Sequence, residues 1–226
     1  WGSEQGGAQK LYLDNIRLTN DDPITTSFTA VGGVKSADTG TIVTLTGAVS
    51  TGSFQNKAPD KNAPATLRAV FFVEDLDRSS AIPVVIGGAV TGVTDVPSGS
   101  KVDITGILTA GPGLRYIYAT SISTPVPGFA IPDPVVLLNK NAGAEAIGID
   151  QPIPGFAGAD TTGMLAEVTG KILAVAKDAI GRTYMYIDDG SAVVADNGAM
   201  GLKVYDWTAT TAVAGNVGKH VRVTGF

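Results

Sequence analysis

Residues 99–106 read Gly-Ser-Lys-Val-Asp-Ile-Thr-Gly, and residues 218–225 read Gly-Lys-His-Val-Arg-Val-Thr-Gly. The two segments share the same alternation of residue types. Apolar and polar residues alternate between glycines, which is the pattern of a half-buried β-strand. Two more pairs of segments resemble each other in the same chain order. They are Thr-Leu-Thr-Gly (44–47) with Glu-Val-Thr-Gly (167–170), and Phe-Phe-Val-Glu-Asp (71–75) with Met-Tyr-Ile-Asp-Asp (185–189). The pattern predicts two related units in tandem.

Short runs of β-branched and aromatic residues, separated by Gly, Pro, Asn and Ser, predict five strands in the first unit. We expect them at residues 41–49, 67–74, 82–86, 101–108 and 114–122. The first and fourth carry a Thr-Gly step, and glycine suits a strand that bends sharply around a small barrel. Five strands with these steps resemble the OB-fold, a small Greek-key barrel.

A closer resemblance rests on residues 167–225, which contain Val-Thr-Gly, Tyr-Ile-Asp-Asp-Gly and Gly-Lys-His-Val-Arg-Val-Thr-Gly. This run is similar to the tandem OB-like modules of large bacterial extracellular and cell-surface proteins. The resemblance implies an all-β chain of two tandem five-stranded Greek-key barrels. It brings no catalytic motif with it.

The second unit reaches Phe226 directly after its fourth strand, so a counterpart of residues 114–122 is missing there. Residues 9–19 (Gln-Lys-Leu-Tyr-Leu-Asp-Asn-Ile-Arg-Leu-Thr) resemble residues 114–124, which we align from Gln9 with Leu114. The sequence therefore predicts that the N-terminal strand completes the C-terminal barrel, as a permuted unit. The candidate interface residues on this strand are Leu11, Tyr12, Leu13, Ile16 and Leu18, and those on the acceptor edge are Val221, Val223 and Phe226.

Two connectors that begin with Asp-Pro, at residues 22–23 and 133–134, set the predicted domain boundaries. We expect a complementing strand in residues 1–21 and a first barrel with its leading connector in residues 22–132. Residues 133–226 would hold a second connector and a barrel that lacks its last strand.

A free strand at one chain end and an open barrel at the other predict head-to-tail assembly, because a heterologous contact that does not close into a ring generates a filament. We therefore expect a non-catalytic structural subunit of an extracellular filament or stalk, with itself as partner, or one period of a covalent array. Two alternatives remain: the strand closes its own barrel in a monomeric, polysaccharide-binding module, or residues 1–20 end an upstream jelly-roll domain.

Composition limits the other function classes. The formal net charge of −5 argues against nucleic acid and anionic lipid as partners. The chain has no cysteine and one histidine, which leaves little for thiol, zinc or histidine-based chemistry, and we expect no enzyme activity. No run approaches the roughly 18 apolar residues that a membrane helix needs. Low charge and many Gly and Thr favour a processed, extracellular protein, since the sequence begins at Trp1 rather than Met.

Weaker candidate sites remain. Aromatic residues on predicted strands offer stacking surfaces for a glycan, namely Phe71, Phe72, Tyr116, Tyr118, Tyr184, Tyr186 and Tyr205. We expect no cofactor, although acidic turns supply oxygen ligands of the kind that calcium uses, at Asp75, Asp77, Asp188 and Asp189. His220 has no serine nucleophile motif to serve and is expected at the surface.

Overall fold

The computed structural model describes residues 25–55, 69–111, 114–142, 161–178, 181–195, 197–205 and 215–226. These residues form an all-β chain with one closed barrel and one half-barrel, so the predicted fold class is confirmed. The predicted closing strand lies outside the described residues, and its placement stays a prediction.

The first barrel is built from six strands and a one-turn helix. The elements are β1 (Thr25–Phe28), α1 (Val31–Lys35), β2 (Ile42–Gln55), β3 (Ala69–Glu74), β4 (Ala81–Ile86), β5 (Lys101–Gly111) and β6 (Leu114–Ile122). The five strands expected from sequence are β2 to β6, and β6 has the predicted bounds. The sequence did not predict β1 or α1.

The barrel closes in the order β2-β3-β4-β6-β5 and back to β2. All neighbours are antiparallel except β4 and β6, which run parallel, with Val84 opposite Ile117. This is the strand order of the OB-fold. The long β2 bends at two register shifts, one between Leu45 and Ala48 and one between Ser50 and Gly52, and so pairs with both β3 and β5.

Among the described residues, the second module has five strands and one turn of 3-10 helix. They are β7 (Val135–Leu137), the 3-10 helix (Asn139–Asn141), β8 (Ala166–Lys177), β9 (Thr183–Asp188), β10 (Leu202–Tyr205) and β11 (His220–Gly225). The sheet runs β10-β9-β8-β11, and β7 pairs parallel to β8 as β1 pairs parallel to β2. The two sheets fall on either side of the boundary expected between residues 132 and 133.

Candidate self-association site

Within the residues that the structure describes, the half-barrel is open between β10 and β11. In the first barrel, β6 fills the corresponding place, parallel to β4 on one side and antiparallel to β5 on the other. No strand among the described residues pairs with the free edges of β10 and β11. A strand edge without a neighbouring strand is a template for an added strand.

Side chains beside this opening are less buried than their counterparts in the first barrel. Val102 and Ile104 on β5 are 1% and 0% exposed, whereas Val221 and Val223, their counterparts on β11, are only half-buried. Leu202 and Val204 on β10 are also half-buried. These four residues pack against the small core of the half-barrel, which is centred on Met185 and Ile187. The opening therefore has an apolar floor.

Gly225 on β11 provides an independent sign of a missing neighbour. Its counterpart Gly106 lies against β6, where an added Cβ would be 2.4 Å from the carbonyl oxygen of Tyr118 and 2.9 Å from the Cα of Ala119. Around Gly225, no described atom lies within 4 Å of the same position. The close approach of β6 therefore requires glycine at position 106. Gly225, which also lacks a side chain, leaves the same space beside β11, and no described atom occupies it.

Phe226 lies against the first barrel and not in the opening. Its ring stacks on Phe72 with centroids 4.2 Å apart and planes 3° apart. Gly52 makes room for the ring, since a Cβ there would be 2.5 Å from Phe226 Cζ. The predicted edge residues Val221 and Val223 thus line the opening, while Phe226 joins the two modules. Leu11, Tyr12, Leu13, Ile16 and Leu18 lie outside the described residues.

The same junction contains a buried carboxylate. Glu74, at the end of β3, is 3% exposed, and its Oε2 accepts a hydrogen bond of 2.9 Å from the backbone N–H of Leu165. Its Oε1 is buried without a hydrogen-bond partner. Burial raises the pKa of Glu74 above its usual 4.5, although the hydrogen bond from Leu165 and the charge of Arg78 oppose that rise. Ionised Glu74 therefore destabilises the junction.

We expect Glu74→Gln to raise the melting temperature at pH 7 by a few degrees, because glutamine keeps an acceptor for Leu165 without a buried charge. Because the pKa of Glu74 is higher in the folded protein than in the unfolded chain, the free energy of unfolding falls as the pH rises. The fall begins near the unfolded pKa of about 4.5 and ends above the folded pKa. Circular dichroism melts from pH 4 to 8 should show that the melting temperature depends less on pH in the variant than in the original chain. Asp133→Asn, at an exposed position outside the proposed contacts between copies, is the control, and an unchanged pH dependence of the melting temperature in Glu74→Gln would contradict the assignment.

The candidate calcium ligands are held by the backbone. Asp75 accepts hydrogen bonds of 2.9 and 3.1 Å from the N–H of Val31 and so caps α1, and Asp189 accepts one of 2.8 Å from the N–H of Asn139, at the start of the 3-10 helix. Burial opposes ionisation of Asp189, but hydrogen bonds from Ser191 and Asn139 outweigh it and lower its pKa. In both modules, therefore, an aspartate carboxylate holds the start of the short helix that follows the parallel strand, which is β1 in the first barrel and β7 in the half-barrel.

Of the other two acids, Asp77 lies in an exposed turn and Asp188 is the half-buried last residue of β9. Asp77 accepts the N–H of Ser79, and hydrogen bonds from Ser79 lower the pKa of Asp77. Asp188 accepts the N–H of Gly190. Within the described ranges, no three His, Cys, Asp or Glu side chains are grouped so that they could hold a metal ion. Calcium binding stays an untested prediction.

The candidate aromatic residues separate into two groups. Phe71 is fully buried in the core of the first barrel, and Tyr116 and Tyr118 are half-buried on β6. On the outer face of β9 and β10, the ring of Tyr184 lies 5.6 Å from those of both Tyr186 and Tyr205. The last three residues form the only part of the predicted stacking surface that is assembled among the described residues.

A pocket of about 380 Å³ lies beside α1, between Val31, Leu45 and the turn after β3. Its acidic lining includes Asp75, which is already bonded to the helix. His220 is exposed at the first position of β11, as the sequence predicted.

None of the helices among the described residues has the length and apolarity needed to cross a bilayer. No protein-family model, curated protein or solved structure matches the chain. The functional argument therefore rests on the open half-barrel and on the segments whose sequences resemble each other.

Proposed function

We propose that the chain is a non-catalytic structural subunit that assembles head to tail, with the N-terminal strand of one copy completing the half-barrel of the next. The observation that carries this proposal is the opening between β10 and β11, with clearance at Gly225 for a strand that the first barrel has in place beside Gly106. The composition, low in charge and rich in Gly and Thr, supports an extracellular filament or surface stalk as the product.

We infer the inward-facing side chains of the donated strand by analogy with β6 of the first barrel. On β6, the buried positions are Ile117, Ala119 and Ile122. Leu11, Leu13 and Ile16 have the same spacing, and this match shifts our sequence alignment by one residue, so that Tyr12 corresponds to Tyr118. The shift matters because a one-residue slip would turn every side chain to the other face. Burial of such a strand removes roughly 400–600 Å² of apolar surface, or about 10–15 kcal/mol before ordering costs.

β1 marks where the chain enters the first barrel. Thr25 pairs with Ile42 at the start of β2, and Phe226 of the half-barrel lies against Gly52 near the other end of that strand. A contact between unlike surfaces of two copies repeats without limit unless it closes into a ring.

The test compares the full chain with a variant that lacks residues 1–20. The full chain should form fibres with a regular axial repeat in electron micrographs. The shortened chain should sediment as single copies and bind a synthetic peptide of residues 8–20 at one per chain. A peptide with serine at the positions of Leu11, Leu13 and Ile16 is the control and should not bind. Full chains that stay single under all conditions, or fibres formed by the shortened chain, would overturn the proposal.

A monomeric glycan-binding module is the second candidate function. It is favoured by the rings of Tyr184 and Tyr205, which lie together on the outer face of the half-barrel. The Nζ atom of Lys203 lies 4.5 Å from the ring centroid of Tyr184. Sugar rings stack on such faces, but the patch is small and partly covered. If the full chain remains single, affinity electrophoresis in polysaccharide gels should show retardation.

A further inference from the structure

The contact between the two modules of one chain involves two distinct surfaces. We call the outer side of β2, β3 and β4 the receiving face of the first barrel, formed by Gly52, Phe72 and Pro83. The half-barrel contributes an inserting face, formed by Gly163, Leu165 and Phe226. Phe226 stacks on Phe72, and a Cβ at Gly163 would be 3.2 Å from the Cδ of Pro83.

Each module carries a counterpart of the face that it does not use in this contact. By sequence pairing and strand register, the half-barrel counterparts of Gly52, Phe72 and Pro83 are Ala174, Tyr186 and Lys203. The first-barrel counterparts of Gly163, Leu165 and Phe226 are Gly40, Ile42 and Ile107. Gly40 and Gly163 also share a positive φ, of 93° and 80°. A single copy thus has one receiving face and one inserting face left over.

Five of the six residues on the leftover faces are exposed or half-buried. Ile107 is 38% exposed and lies opposite Ile42 across the β2–β5 pair, and no described atom lies within 4 Å of a Cβ built on Gly40. On the half-barrel, Ala174 is exposed and Lys203 is half-buried. Tyr186 is buried, with its hydroxyl accepting a hydrogen bond from Asn197 Nδ2, so an incoming module would meet mainly Ala174 and Lys203.

Charge on the two leftover faces is complementary. Asp38 is exposed two residues before Gly40, and Lys203 takes the place of Pro83, which Gly163 approaches within the chain. If Gly40 approached Lys203 as Gly163 approaches Pro83, the carboxylate and the ammonium group would face each other across the contact.

We infer that the outer face of the half-barrel at Ala174, Tyr186 and Lys203 receives the first barrel of the next copy through Gly40, Ile42 and Ile107, and thereby repeats the junction that joins the modules within a chain. This inference rests on the proposed function, since strand donation places the two modules in succession. Residues 17–24 would connect them across copies, as residues 123–134 do within one.

The test uses the absence of cysteine in the chain. Ile107→Cys with Ala174→Cys, treated with a short bis-maleimide under assembly conditions, should give a ladder of cross-linked chains on a denaturing gel. Val136→Cys with Ala174→Cys is the matched control and should give none, because Val136 is 73% exposed but lies on β7, outside both faces. Fibres without a ladder would overturn the proposed contact and leave strand donation standing. The absence of both fibres and ladder would overturn both.

A charge exchange tests the orientation of the same contact. Lys203→Glu and Asp38→Lys should each raise the concentration at which fibres pellet by about tenfold, because each places like charges together. The double variant should return to within about threefold of the original value. Single variants that pellet at the original concentration would contradict the pairing of Asp38 with Lys203. A double variant that pellets only at a higher concentration than either single variant would contradict it as well.

Discussion

Gly225→Val is expected to abolish fibre formation at micromolar concentrations without lowering the melting temperature of a single copy. Gly106→Val is expected to do the reverse and destabilise the first barrel by about 3 kcal/mol or more, which is a fall in melting temperature of roughly 10 °C or more. At Gly106 a Cβ meets the backbone of β6 at 2.4 Å, which cannot relax by a rotamer change. At Gly225 the same atom meets nothing described, and valine is favoured in strands.

The two valine variants are matched, because both change the last glycine of the same eight-residue pattern. Thermal melts of chains lacking residues 1–20 isolate the fold from assembly, and pelleting of full chains measures assembly. Equal destabilisation of the shortened chain by the two variants would show that Gly225 already has a close neighbour within the copy. Normal fibres from Gly225→Val would show that no strand passes beside it.

Leu13→Asp is expected to raise the concentration at which fibres pellet by more than about a hundredfold. Tyr12→Ser should change that concentration by less than about tenfold. The reason is the inferred register, in which Leu13 takes the place of the fully buried Ala119 and Tyr12 that of the half-buried Tyr118. A buried, unpaired carboxylate costs several kcal/mol, while an outward aromatic residue contributes only part of its area.

The measurement for the donated strand is peptide affinity. Peptides of residues 8–20 that carry either change are titrated into the chain lacking residues 1–20, so that folding of the donor copy does not enter. Our first alignment, with Gln9 opposite Leu114, places Tyr12 and Asp14 inward and predicts the opposite order of effects. A tighter complex with the Leu13→Asp peptide than with the Tyr12→Ser peptide would therefore restore that alignment.

β5 and β6 could be predicted because their burial alternates along the strand. On β6, buried Ile117 and Ala119 follow a period of two, and the turn residues on either side mark its ends. β1 could not be found in this way, since three of its four residues are exposed and it is held by pairing with β2. The helix α1 contains two glycines, which are poor helix formers, and depends on the distant Asp75 and on burial of Val31 and Val34.

The candidate site was predictable to a similar degree. Among the described strands, the open edge follows from counting strands, and Val221 and Val223 are half-buried beside it as the alternation of β11 predicts. The position of Phe226 was not predictable, because its partners Gly52 and Phe72 belong to the other module and no local pattern links them. The one-residue shift that we propose for the donated strand has the same origin. Resemblance of residue types does not specify which face of β6 is buried.

The strand directions have a mechanical consequence. The chain enters the half-barrel at Val135, which pairs with Ala166 at the same end of the sheet as Gly225. A donated strand that copies β6 begins at that end and leaves at the opposite one, toward the next copy. Tension along the fibre would therefore pull the half-barrel and the inserted strand past each other lengthwise, and all of their hydrogen bonds would share the load. A joint loaded in shear resists force far better than one that can be peeled apart bond by bond.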